Sequence, residues 1–210
     1  MSVNFSPDIL HDSLNRSLPG ADAQYEMAPD HRAGPEATFH PPADARVAAV
    51  LILIYEHVDG LYIPMMQRPP NTGPHSRQIS FPGGAFENTD PDLIYTALRE
   101  SAEEMGIEPE RVRILGQLSR LYVPPSNYLV YPFLGWSRER PNFRPDPVEV
   151  EEVLEISLTD LLDRSNRQKE ERLHKGSSIQ VPYFAINGRK IWGASAMMMS
   201  ELLAILENLT

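Results

Sequence analysis

Apolar and polar positions along the chain alternate between two periods, and those periods predict its elements. Val47–Tyr55 is an unbroken apolar run between Arg46 and Glu56, the pattern of a strand buried on both faces. Asp59-Gly60 then marks a turn, and Leu61–Gln67 returns as a second strand, giving a hairpin. Residues 112–118, 129–136 and 150–156 read as further strands. Val181–Ile186 and Arg189–Trp192 flank Asn187-Gly188, a strong hairpin-turn pair. Helical spacing appears in Pro7–Leu18, in Leu158–Arg164 and in Ala194–Leu206, where Met197, Met198, Leu202, Ile205 and Leu206 form an apolar face read as core. The stretch 28–45 is rich in proline, alanine and charge and reads as an extended arm, and 69–74 must be loop. Mixed strands and helices without strict alternation predict a mixed sheet covered by helices.

The helix that matters most is expected over Pro91–Met105, with Thr89-Asp90 as its cap, proline at its first position and Gly106 as its stop. On a helical wheel Ile94, Leu98, Ala102 and Met105 share the side expected to pack on the sheet. Glu100, Glu103 and Glu104 gather on the opposite side. No neighbouring residue in the sequence obviously supplies the positive charge that three carboxylates need. A hard cation such as Mg2+ or Mn2+, which prefers carboxylate oxygen, would supply it. Just upstream, Phe81-Pro82-Gly83-Gly84 reads as a strand closing into a loop where backbone can approach a ligand.

Composition narrows the classes. A hydrophobic fraction of 41% over 210 residues supports one substantial core. No apolar run approaches the roughly 20 residues needed to span a bilayer. No cysteine is present, which excludes disulfides and thiolate metal sites and fits a reducing compartment. With no visible secretory signal, a cytoplasmic location is expected. The formal net charge of −10 argues against a nucleic-acid partner, since no basic stripe offsets it.

Gly84, Asp90, Arg99-Glu100, Glu103-Glu104, Gly106 and Ile107 together resemble the Nudix box. Eight residues separate Asp90 from Arg99, one more than in the standard box, and Ser101 stands where an aliphatic residue is usual. The longer spacing is similar to that of the coenzyme A pyrophosphatase branch. So are the stretch His75–Gly84, Leu18-Pro19-Gly20 with Ala23-Gln24 and Met27, and Ile191-Trp192-Gly193-Ala194.

The resemblance implies an α/β/α sandwich with a mixed sheet, an enzyme domain over 46–210 with its box at 84–107, and an N-terminal helix and arm over 1–45 packing on it. It implies a diphosphatase using Mg2+ or Mn2+ held by Glu100, Glu103, Glu104 and the Gly84 carbonyl, with Glu103 and Glu104 also serving catalysis. Arg68, His75 and Arg77 are the candidates for substrate binding. Asp90 would steady Arg99 as the structural acid, although Glu87 is an alternative. A base from outside the box is expected among Glu149, Glu151 and Glu152; strand alternation does not choose, and the family position favours Glu149. The implied substrate is coenzyme A or an acyl-coenzyme A, cut to 4′-phosphopantetheine and 3′,5′-ADP. Another nucleoside diphosphate derivative such as ADP-ribose is the alternative, followed by a non-catalytic nucleotide sensor. The implied partner is therefore a small nucleotide-type molecule, with no membrane and with room for a homodimer.

Overall fold

The computed structural model describes residues 5–32, 34–70 and 77–209. Its centre is strand β1 (Arg46–His57), which pairs in parallel with β7 (Tyr128–Ser137) over ten residues, from Arg46↔Tyr128 to Tyr55↔Ser137. On its other side β1 pairs antiparallel with β2 (Gly60–Gln67) and with the short β4 (Gly83–Ala85). The sheet is completed by β3 (Ile79–Ser80) and β8 (Glu152–Ser157) on β2, and by β5 (Arg113–Gln117) and β6 (Leu121–Val123) on β7. A second sheet is the antiparallel meander β9 (Arg167–His174), β10 (Ser177–Ile186) and β11 (Arg189–Trp192).

The unbroken apolar run in β1 is explained by two cores, one on each face. Ala48, Ile52 and Ile54 belong to the larger core, with Ile63, Met65 and the long helix α6 (Ala194–Glu207). Ala49, Leu51 and Leu53 belong to the smaller core, with Ala97 and Met105 of helix α4 (Leu93–Met105). Successive residues of a strand point to opposite faces, so a strand with helices on both sides must be apolar at every step. The molecule is thus a mixed α/β sheet with helices on both faces. Among the described residues no helix is long and apolar enough to cross a membrane.

Several expected boundaries shift. The first helix, α1, stops at Leu14 instead of Leu18, α2 (Ala21–Tyr25) forms between it and the expected arm, and α3 (Glu36–Phe39) forms within that arm. Strand β8 starts at Glu152, two residues late, because Pro147–Glu149 form a turn before it. The hairpin of β9 with the first half of β10 was not foreseen; before Val181 its segment has only Leu173 and Ile179 among polar residues and carries no apolar period. Its turn is Lys175-Gly176, with φ 49° and 83°, the left-handed pair that closes a two-residue hairpin. Asn187-Gly188, φ 49° and 74°, closes β10–β11 as the sequence indicated. The methionines of α6 are core residues: Met197 and Met199 are fully buried.

Helix α6 also buries one charge. Glu201 is completely inaccessible, and its carboxylate accepts from Gly20 N (3.2 Å), Gln24 Nε2 (2.9 Å) and Ser119 N (3.2 Å). It ties the start of α2 and the β5–β6 connection to the last helix. Removing this acceptor strands buried donors at about 1–3 kcal/mol each. Glu201→Ala is therefore expected to lower unfolding free energy by about 3 kcal/mol in urea titration. A change below about 0.5 kcal/mol, the level of a surface substitution, would show that water replaces the carboxylate.

Candidate active site

Helix α4 carries the acidic cluster, but its packing differs from the helical-wheel expectation. The cap is Asp92, whose side chain accepts from Tyr95 N, and not Asp90. The sheet-facing residues are Thr96, Ala97, Ser101, Glu104 and Met105, whereas Ile94 is 37% exposed. The helix is rotated so that small side chains meet the sheet and Glu104 goes inside with them. Ser101, lying in this interface, donates its hydroxyl to Ala97 O at 2.6 Å and so is buried without an open polar atom.

Close approach explains the rotation. Gly83 and Gly84 lie in strand β4, paired with Val50 and Ala49, and not in the loop expected for them. A Cβ on Gly84 would lie 2.4 Å from Cδ of Glu100, so the Glu100 carboxylate occupies the volume that any larger residue would fill. Gly83, at φ 149°, would push a Cβ to 2.3 Å from Ala49 O, and its N–H donates to Glu104 Oε2 at 2.8 Å. The glycines therefore serve two carboxylates of the helix directly. The Phe-Pro-Gly-Gly string signalled close approach, but not that the approaching group would be Glu104.

Counter-charge is present after all. Arg99 donates to both Asp90 oxygens (3.0 and 3.1 Å), to Glu100 Oε1 (3.0 Å), to Glu103 Oε2 (3.0 Å) and to Ala85 O (3.3 Å). Arg68 reaches Glu104 Oε1 at 3.2 Å. The sequence hid these pairs because Arg99 curls along its own helix and Arg68 arrives from the end of β2. Asp90, and not Glu87, is the acid bonded to Arg99; it also accepts from Thr96 Oγ1 at 2.8 Å. The Arg99 bonds hold the Asp90 carboxyl down at about 2. Arg99 is correspondingly raised, Asp90 being the first cause.

The carboxyls facing the sheet shift the other way. Burial pushes Glu104 up to about 8, opposed by Arg68 and the Gly83 N–H, with the charges of Glu100 and Glu149 adding to the rise. Burial also raises Glu100, again with contributions from Glu103 and Glu149. Two arginines thus leave this cluster short of positive charge. Glu149, in the turn before β8, is the member of its trio whose charge acts on both helix glutamates. Glu151 instead accepts from Gln67 Nε2 (3.0 Å), and Glu152 pairs with Arg189 (2.5 Å).

Gly83, Gly84, Ala85 and Arg68, which contact these side chains, line a cleft of about 1160 Å3; the carboxylates themselves do not line it. Arg77 is exposed at φ 56° and has no hydrogen bond or ion pair to the helix carboxylates; His75 lies outside the described residues. Among the described residues no three acidic or histidine side chains stand in position to share a cation. The donor set nevertheless fits one: four carboxylates and a glycine backbone, all oxygen donors, with Glu103 exposed and held by one contact.

Comparison with known proteins identifies the family. A family model described as the NUDIX domain matches residues 45–176. Nudix hydrolase 15, mitochondrial, of Arabidopsis thaliana is 37% identical over 71% of this chain, and the chain spans only 54% of that protein's length. A NudL Nudix hydrolase of Pectobacterium atrosepticum is 32% identical, covering 79% of this chain and 85% of its own. The mitochondrial coenzyme A diphosphatase NUDT8 of Mus musculus is 33% identical, covering 79% of each. In fold, the crystal structure of the M. smegmatis Nudix hydrolase RenU matches with a TM-score of 0.55 at 13% identity, over 79% of this chain and 88% of that one.

The Asp90–Arg99 pair generates an acid-stability prediction. A carboxyl whose folded pKa is depressed contributes stability that is present above its ordinary value and lost as pH falls through the folded one. For Asp90 that window runs from the ordinary 3.8 down to about 2. Asp90→Asn is expected to unfold earlier in urea at neutral pH, with the gap to the unaltered protein constant above pH 4 and closing toward pH 2. A gap that keeps its size through this window would mean that the ion pair adds nothing.

Proposed function

The chain belongs to the Nudix family of hydrolases, and from that premise we propose that it hydrolyses the diphosphate bond of coenzyme A or an acyl-coenzyme A. The products would be 4′-phosphopantetheine, or its acyl form, and 3′,5′-ADP. The observation that carries the substrate is the likeness, over four-fifths of both chains, to a protein named as a coenzyme A diphosphatase. The added residue between Asp90 and Arg99 supports the same branch. We place the protein in the cytoplasm as part of this proposal, although two of the relatives above are named as mitochondrial.

Glu100, Glu103, Glu104 and the Gly84 carbonyl would hold Mg2+ or Mn2+. Bound there, such a cation neutralises diphosphate oxygens and lowers the pKa of a coordinated water. The chain's own residues do the rest. The Asp90–Arg99 clamp fixes the helix face, and Gly83 N–H fixes the Glu104 carboxylate. Arg68, at the cleft wall, offers a guanidinium to the charge that builds on the phosphoryl oxygens. Glu149 accepts the proton of the attacking water. The water oxygen bonds to phosphorus, the bridging P–O bond breaks, and the other phosphate leaves as the anion. Arg77 and His75 are proposed to contact the substrate.

Two measurements test this reading. Coenzyme A, ADP-ribose and a diadenosine polyphosphate are incubated with Mg2+ or Mn2+, with and without EDTA, and the products are weighed. Coenzyme A is expected to show the highest kcat/KM, and EDTA to abolish turnover. Preference for ADP-ribose would defeat the substrate, and full activity in EDTA would defeat the metal-held mechanism. For the base, Glu149→Gln is expected to lower kcat by about 100-fold or more, the usual worth of a positioned proton acceptor. Glu151→Gln, which keeps its neighbour Gln67 within hydrogen-bonding reach, should lose less than about threefold. A deficit in Glu152→Gln with normal Glu149→Gln would transfer the role to Glu152.

A further inference from the structure

The cleft does not end at the glycines. At about 1160 Å3 it exceeds the roughly 300–1,000 Å3 of an ordinary small-ligand site. It is also lined by His31 and Arg32 from the segment after α2, and by Arg172, His174 and Lys175 from β9 and its turn. These five basic side chains in one cleft are unexpected in a chain of net charge −10.

The local charges do not cancel. None of the described carboxylates forms an ion pair with His31, Arg32, His174 or Lys175. Asp30 lies beside His31 but accepts from Gln180 N, and Glu170, which pairs with Arg172, is shared with Lys190. Arg32 donates to Tyr122 O, while its buried Nε has no hydrogen-bond partner among the described residues. The rings of His31 and His174 stack with centroids 4.2 Å apart. Burial, and then the charges of His174, Arg32 and Lys175, lower the His31 pKa. Arrangement also matters: Arg172 and His174 are two apart on β9 and so share a face, and the left-handed turn sets Lys175 next to them.

We propose that this cluster is a subsite for a phosphomonoester on the nucleoside half of the substrate, remote from the diphosphate that is cut. The inference rests on the diphosphatase reading above and sharpens it. A phosphomonoester brings about 1.5–2 negative charges and three acceptor oxygens, which the lysine, arginine and imidazole N–H donors of this cluster match. In coenzyme A this group is the 3′-phosphate, which ADP-ribose and 3′-dephospho-coenzyme A lack. The box end of the cleft would then select a diphosphate, and the hairpin end would select which diphosphate.

The test uses the full chain, Lys175→Asn and His174→Gln. Asparagine tolerates the left-handed backbone of position 175, and both positions lie at a hairpin turn. The kcat/KM ratio of coenzyme A to 3′-dephospho-coenzyme A is measured, together with calorimetric binding of 3′,5′-ADP and 5′-AMP. The unaltered protein is expected to favour the 3′-phosphorylated member of each pair by at least about tenfold, or about 1.4 kcal/mol. Each variant should shrink that preference to about threefold or less. If coenzyme A is not cleaved, but 3′,5′-ADP still binds preferentially and the variants lose that preference, the substrate reading fails and the subsite stands. If the unaltered protein shows no preference, or both variants retain it, the subsite is overturned whatever bond the enzyme cuts.

Discussion

Helix α4 lies so close to β4 that a carboxylate rests on the Cα of a glycine, and the remaining geometry follows from that approach. The small residues Ala97 and Ser101 are buried on the face that meets the sheet. The face that turns inward therefore takes Glu104 with it. Once inside, its carboxylate needs donors, and the backbone N–H of Gly83 and the guanidinium of Arg68 are the ones within reach. A Cβ at position 84 would displace the Glu100 carboxylate, and one at 83 would strike the backbone of β1 beside the N–H that holds Glu104.

Electrostatics divides the same helix in two. On its outer side Arg99 gathers Asp90, Glu100 and Glu103, a network whose cost in side-chain entropy is shared among several bonds. On its inner side Glu104 and Glu100 are buried with less compensation, and both are pushed toward protonation. A site that keeps carboxyls underneutralised has a standing attraction for cationic ligands. The outer clamp holds the helix against the repulsion this creates.

Much of this was legible in the chain. The two-sided apolar run of β1, the αL stop at Gly106 and the Asn-Gly hairpin were each dictated by local chemistry. The acidic triad and its glycines were visible as a spaced pattern. What the sequence hid came from tertiary pairing. Helical periodicity favoured Ile94 as a core residue, but the demand for small contacts at the glycines outweighed its hydrophobicity. Asp90 was expected to steady Arg99 and does, but the cap also read at Thr89-Asp90 falls to Asp92. The β9–β10 hairpin was invisible because its residues face solvent and the cleft, so neither period appears.

The parallel pairing of β1 with β7 carries a kinetic consequence. Arg46 meets Tyr128, and every ladder bond between these strands closes a loop of some eighty residues. That loop contains β2, β4 and the whole of α4, so the acidic helix is enclosed within a long-range contact of the central sheet. Non-local pairing of this kind slows folding, because closure entropy is lost before any ladder bond compensates for it. The helix can form early, but its carboxylates meet Gly83 and Gly84 only when β4 has a completed β1 to lie against. Maturation of the site and the slow step of folding are then one event, and a nascent chain released before residue 137 would hold the whole box without the strand that seats it.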